Sequence, residues 1–222
     1  MSNANLQDPP LSEVRIGAEA PERILAAAEV LFAEHGFDAA SMHAIAAHAG
    51  VSKANIFHHF SSKHDLYLAV LSNACRDAAE RLQHFDEAES AFAERFAAYG
   101  AGMLRGMLER ERVHRLIQRE LLKEDNGVGA KEIAERVFGD RFGRLVAILR
   151  SGQGRGELRA DVDPAMAAIA LIGANVFFMQ SRNVFKHFPD VGFATDPAQY
   201  SALLTNILLH GILARPPQQE PT

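Results

Sequence analysis

Ten histidines, a single cysteine and a short glycine run are the residues here whose types suggest bond-making or metal chemistry. Six of the histidines (His35, His43, His48, His58, His59, His64) fall close together in the first third of the chain. No pair among them has the i,i+4 spacing that places two imidazoles on one helical face, so they read as scattered surface groups and no metal site is expected. Cys75 alone makes neither an internal disulfide nor a thiolate cage, and in an apolar helix it reads as a small buried hydrophobe. Gly152, Gly154 and Gly156 follow a helical pattern, not a strand, so they do not form a dinucleotide loop. No nucleophile–base–orienter set and no phosphate loop is present, so neither catalysis nor a cofactor is expected.

The residues that do carry a specific pattern are built for recognition. Ala49-Gly50-Val51-Ser52 joins two short helical segments. Glycine permits the left-handed turn, valine plugs the core beneath it, and serine caps the next helix. A turn of this kind holds one helix across another so that its outer face can enter a major groove.

The elements needed to position that turn follow from apolar spacing. Pro21 to Gly36 predicts a first helix with Ile24, Leu25, Ala28, Leu31 and Phe32 on its stripe. Ser41 caps a second helix with Met42, Ile45, Ala46 and Ala49 on one face. Ser52 caps a third, to about His59. Ser62 with Asp65 resembles a capping box for a fourth, from Lys63 to about Phe85. Helices are then expected over 87–109, 112–124, 130–151, 164–187 and 197–214, with breaks at Asp125-Asn126-Gly127, at 152–156 and at 188–195. Strand-like alternation is absent. The fold class is therefore all-α, about nine helices, with a three-helix head and a longer helical body.

The run Ile24…Ala28…Phe32…Gly36-Phe37, Ser41…Ile45-Ala46…Ala49-Gly50-Val51-Ser52, Ile56-Phe57-His58-His59-Phe60, Ser62-Lys63…Leu66 resembles the tetracycline-repressor (TetR) family of transcription regulators. The close resemblance covers 21–66; the remaining helices follow only the family's general plan. It implies a homodimer whose head reads a double-stranded DNA operator and whose body binds a small-molecule effector, with repression relieved by that effector. It places the reading helix at Ser52–His59, with Ile56 and Phe60 facing inward. Lys53, Ala54, Asn55, Phe57 and His58 are then expected to face DNA: Asn55 for an adenine edge, Lys53 for guanine or phosphate, Ala54 for a thymine methyl. Lys63 suits a phosphate, and Ser41 and His43 suit the flanking backbone. Phe57 departs from the family, which usually has a phosphate-binding tyrosine there. Across residues 15–66 there are four Lys/Arg against six Asp/Glu, so binding must rest on a few placed contacts and on dimerisation.

In the body, Phe96, Tyr99, Met103, Phe138, Phe142, Phe178 and Met179 are candidate walls of an effector pocket, and His114, Gln118, Asn175 and Arg182 candidate polar groups within it. Each is equally at home in an ordinary core. The helices 164–187 and 197–214 carry the small and aliphatic residues of a seam that packs against a second copy.

The chain has 222 residues, is 48% hydrophobic and 23% charged, and carries a formal net charge of −5, the balance of a globular protein. The apolar stretch Ala165–Met179 falls short of the roughly 20 residues that span a bilayer, and no signal-like leader opens the chain. With its single cysteine, this points to the cytoplasm and no membrane partner. The expected organisation is an N-terminal arm (1–20), the DNA-binding head (21–66), the ligand-binding and dimerisation body (67–215) and a tail (216–222). A protein-binding helical adaptor and a helical enzyme are the competing functions; the reading helix disfavours the first and the missing chemistry the second.

Overall fold

The computed structural model of the chain describes residues 19–122 and 129–212. The expected arm and tail, and the break at Asp125-Asn126-Gly127, lie outside or largely outside those residues. Among the described residues there is no strand. The chain divides into two compact units between Val70 and Leu71.

The first unit opens with α1 (Ala20–Ala39), with proline in its first turn, and the helix kinks at Gly36 (φ 80°) rather than ending there. Ser41 Oγ accepts the Ala44 N–H at 3.0 Å and starts α2 (Met42–Ala49). Gly50 (φ 65°, ψ 37°) stops it in the left-handed region, where the lack of a Cβ removes the steric cost. Val51 N–H then returns to the Ala46 carbonyl at 3.0 Å, closing the turn. Ser52 Oγ accepts the Asn55 N–H at 3.1 Å and starts α3 (Lys53–His59). α4 (Lys63–Ala74) begins with a reciprocal cap: Ser62 Oγ accepts the Asp65 N–H, and Asp65 Oδ2 accepts the Ser61 N–H, both at 3.0 Å. The core beneath these turns is Ile24, Phe32, Ile45, Ile56, Leu66 and Tyr67, each at most 1% exposed. The Tyr67 ring stands edge-on to Phe32 at 4.9 Å.

The expected fourth helix to Phe85 is a pair. α4 ends at Ala74, and α5 (Asp77–Glu87) starts after a tight turn at Cys75-Arg76. Within the turn the Arg76 N–H bonds the Asn73 carbonyl at 3.2 Å and the Ala78 N–H the Cys75 carbonyl at 3.1 Å. Two distant arginines add a second donor to each of these carbonyls. Arg110 donates to the Asn73 carbonyl, and Arg141 donates to the Cys75 carbonyl at 2.9 Å and to Ser72 Oγ at 3.3 Å. Hydrogen bonds from charged donors contribute about 1.5–3 kcal/mol each, so the two arginines hold the turn in place.

α6 (Phe92–Glu109) and α7 (Glu111–Leu121) follow. The single helix expected over 130–151 is also interrupted. A short α8 (Ala130–Glu132) runs into a π-helical turn, Ile133–Phe138, and Gly139 (φ 55°) turns the chain into α9 (Arg141–Gly154), so the helical hydrogen bonds cannot continue. α9 also runs through Gly152, where a break was expected. Asp163 Oδ1 accepts the Met166 N–H and starts α10 (Pro164–Phe185); a 3₁₀ turn, Gly192–Thr195, leads to α11 (Pro197–Ile212). The described residues thus hold eleven α-helical segments where about nine were expected, the surplus arising from the two interruptions.

The core of this unit gathers Leu82, Phe85, Phe96, Leu145, Leu149 and Leu171. Phe85 stacks on Tyr99 at 5.3 Å. Buried Arg95 donates to the Phe85 carbonyl at 3.0 Å and pairs with Glu157 at 3.3 Å, which satisfies its charge inside the core. The outward faces of α10 and α11 are apolar: Met166, Ile169, Phe177 and Val184 on one, Leu203 and Ile207 on the other, with Ile207 70% exposed. At 22 residues α10 is long and apolar enough to cross a bilayer by length and composition, which the shorter run Ala165–Met179 had not suggested; only a third of its most apolar window is buried.

Candidate DNA-reading head and effector cavity

The caps at Ser41 and Ser52 fix the first turns of α2 and α3, and buried Ile56 and Phe60 anchor α3 from below. Lys53, Ala54, Phe57 and His58 are left on its exposed side, together with His59. Their side chains supply an ammonium, a methyl, an aromatic face and imidazoles within two helical turns. Lys53 Nζ stands 5.8 Å from the centre of the Phe57 ring, and the rings of His58 and His59 meet edge to face at 5.0 Å. Phe57 is 46% exposed and so is not part of the core. His43 is exposed on α2.

Two residues are placed differently from a simple reading face. Asn55 is half-buried, and its Oδ1 is enclosed without a hydrogen-bond partner. Presenting both halves of its carboxamide to an adenine therefore requires the side chain to rotate outward. Lys63 Nζ donates to the Asp38 carbonyl at 3.1 Å, 4.6 Å from the Phe37 ring, so one of its three protons is already engaged inside the head. The other two remain for a phosphate.

In the second unit a cavity of about 370 Å³ opens among α5, α6, α7, α9 and α10. Of the expected wall, Tyr99, Met103, His114, Phe138 and Phe142 line it. The others do not. Phe96 is fully buried in the core against Phe85 and Phe92, and Phe178 stacks on Tyr200 at 3.8 Å. Asn175 is fully buried and donates to the Leu171 carbonyl at 3.1 Å and to Met103 Sδ. Met179 is buried beside it on α10, and Gln118 is half-buried on α7 outside the lining. Arg182 is paired with Glu111 at 3.0 Å, which ties α10 to α7. For Phe96, Phe178, Asn175 and Arg182 a packing or pairing partner within the unit takes the group that an effector was expected to meet.

The cavity also includes residues that sequence reading did not place there: Ala74, Cys75, Ala78 and Arg81 beside the α4–α5 turn, Arg141 and Leu145 on α9, Leu121 on α7, and Ile169, Ile172 and Gly173 on α10. Met107, whose helical spacing on α6 also suggests a place in the wall, lines the cavity as well. Gly102 and Gly106 are the signal that points to Arg81: they stand one turn apart on α6, and a Cβ at either would meet the Arg81 side chain, at 3.0 and 3.2 Å.

The electrostatics of the cavity are one-sided. Burial, with Arg110 and Arg81 beside it, pushes the His114 imidazole down to about 4, so it is neutral at physiological pH. Burial pushes the Tyr99 hydroxyl up to about 12 and raises the Cys75 thiol, so both keep their protons and the thiol is a weak nucleophile. Burial also works against ionisation of Glu111, but hydrogen bonds from Arg115 and Arg182 hold its carboxyl below the usual range. Among the described residues no group of three His, Cys, Asp or Glu is arranged to hold a metal.

A capped three-helix head with an exposed second helix after a glycine turn, followed by an all-helical body with its own cavity, defines a helix-turn-helix DNA-binding regulator. The family model described as bacterial regulatory proteins, tetR family, matches residues 24–70. The chain is 34% identical over 155 residues to the HTH-type transcriptional repressor Rv3405c of Mycobacterium tuberculosis, covering 64% of this chain and 82% of that one. Its similarity to the HTH-type transcriptional activator FasR of Mycolicibacterium smegmatis is 53% but is confined to 49 residues, 22% of the length of each. In fold it matches the fatty acid degradation regulator FadR from Bacillus halodurans, with a TM-score of 0.70 and 21% identity over 86% of this chain and 98% of that one. The chain belongs to the tetR family of transcription regulators and is not an enzyme.

Proposed function

We propose that this chain is a homodimeric repressor that reads a two-fold operator through α3 and is released when a small, mostly apolar molecule fills the cavity of its body. The observation that carries this reading is the position of that cavity: Ala74, the last residue of α4, lines it, while the first turn of the same helix belongs to the head. A ligand lodged there bears on the helix that carries Lys63. The head, expected over 21–66 and packed as one unit to Val70, acts as the reading domain, and the body, expected over 67–215 and packed from Leu71, as the effector and dimerisation domain, in the cytoplasm, where the DNA is.

Ser41, His43, Ser52, Lys53, Ala54, Asn55, Phe57, His58 and Lys63 make up the proposed DNA contact. Each subunit neutralises few phosphates, so useful affinity needs two heads on successive major grooves, about 34–36 Å apart or a multiple of that. The exposed apolar stripes of α10 and α11 supply the seam, since faces of this kind are covered in stable homodimers. Repression is the proposed sign, as in the name of the relative matched over most of its length. The effector must bind the DNA-competent and released states unequally, because equal affinity shifts nothing.

Selection of bound sequences from random DNA tests the reading. Enrichment of a pseudo-palindrome with half-sites one helical turn apart, or a multiple, is expected. No enrichment at low salt would return the chain to the protein-binding alternative.

A further inference from the structure

The cavity holds a charge that nothing among the described residues answers. Among those residues two arginines line it and no carboxylate does. Arg141 is already engaged: its guanidinium donates to the Phe138 and Cys75 carbonyls and to Ser72 Oγ, bracing the α4–α5 turn. Arg81 is different. Among the described residues its side chain makes no hydrogen bond and no ion pair, and its Nε is enclosed without a partner. Yet it is seated closely, its stem and guanidinium lying against Gly102 and Gly106, where side chains would exclude it. Arg81 is half-buried, and a cation partly withdrawn from water without a counter-ion is costly; an anion brought to it by a ligand lowers that cost.

The rest of the lining is apolar, with Met103, Phe138, Leu145 and Ile172 around neutral His114 and Tyr99. At ~30 Å³ per water-sized group, about 370 Å³ holds roughly a dozen non-hydrogen atoms. We propose that the effector is an amphipathic carboxylate, its apolar body filling this cavity and its carboxylate accepting hydrogen bonds from Arg81. The inference rests on reading the cavity as the effector site and adds the charge and size of what enters it. Burial is the larger cause of the depressed His114, and the positive charges of Arg110 and Arg81 add to it; that added field disfavours a cationic ligand.

The competing view is that Arg81 is simply solvated. It also borders the open groove over α5 and α6, where Asp77 and Glu80 stand nearby without pairing to it.

The test is calorimetric titration of the full chain at neutral pH with decanoate, 1-decanol and decylamine, all below their aggregation concentrations. Decanoate is expected to bind one site per chain at least tenfold more tightly than either of the others, a difference of about 1.4 kcal/mol. Arg81→Gln should abolish that preference and leave decanol binding unchanged; Arg81→Lys should retain it in weakened form, which keeps the test open if the first variant does not fold. Arg105→Gln, in the outer groove only, should change nothing. Decanol binding as tightly as decanoate, a preference that survives Arg81→Gln, or equal losses in the Arg81 and Arg105 variants would each overturn the proposal while leaving the cavity as an effector site. Binding of none of the three would overturn both. Operator release is measured separately, so decanoate that binds without releasing DNA counts against the regulatory reading and not against this one.

Discussion

Lys63 reaches back across the head to the Asp38 carbonyl, which it meets at 3.1 Å beside the Phe37 ring. The residue that the helix-turn-helix pattern assigns to a phosphate thus also holds the turn after Gly36. Lys63→Ala should therefore do two separable things. Loss of a charged hydrogen bond at a half-buried site should cost about 1–2 kcal/mol of stability, read by urea unfolding. Operator affinity should fall alike for all sequences, with the salt slope reduced by about one unit per subunit. An unchanged slope with reduced stability would leave Lys63 a structural residue only.

Asn55 should behave the opposite way. Its Oδ1 is enclosed without a partner, so truncation removes an unsatisfied group. Asn55→Ala should leave stability unchanged or slightly raised, yet lose about 1–3 kcal/mol of operator binding per half-site and relax preference at one base position. A variant that binds the selected operator as tightly as the parent would place the reading face elsewhere on α3.

Ile207 is the most exposed large apolar side chain on α11. A charge there touches little within its own subunit, so Ile207→Glu should preserve helix content by circular dichroism while sedimentation shows monomers and operator binding is lost. A dimer that survives both this change and Phe177→Glu would mean that another face mediates pairing.

His114 gives stability a particular pH dependence. Its folded value of about 4 lies below the ordinary histidine value of 6.5, so the unfolded chain takes up a proton first as pH falls. The native state loses nothing above pH 6.5, loses stability progressively between about 6.5 and 4, and no more below that. At pH 5 the loss should be about 2 kcal/mol relative to neutral pH. His114→Phe should flatten this part of the curve. Parallel curves for parent and variant, from unfolding at pH 7 and pH 5, would contradict the buried neutral imidazole.

Gly102 and Ala98, which helical spacing suggests as cavity-facing, line the outer groove over α5 and α6 instead. Filling the cavity calls for Ala78, beside the α4–α5 turn. Ala78→Phe should mimic effector, with the dimer folded, decanoate no longer bound and operator affinity about 5–150-fold weaker, the range of ordinary allosteric coupling. Full operator affinity with decanoate excluded would separate the cavity from control of the head.

The head was legible in the sequence because its signals are local. Ser41, Gly50, Ser52 and Ser62 each act on backbone groups within a few residues, and those bonds form as the turns require. The apolar stripe that buries Ile45, Ile56 and Leu66 follows from helical period alone. In the body the same period could say which residues turn inward but not what they meet there. Phe96 and Tyr99 lie within one turn of α6; only the packing of α5 and α9 sends the first into the core and leaves the second on the cavity. The break at Cys75 was invisible because the side chains that brace it, Arg110 and Arg141, come from far along the chain. Arg81 was passed over because a charged residue on an amphipathic helix ordinarily faces water. Its enclosure depends on two glycines of another helix, and that relation exists only once α5 and α6 are packed together.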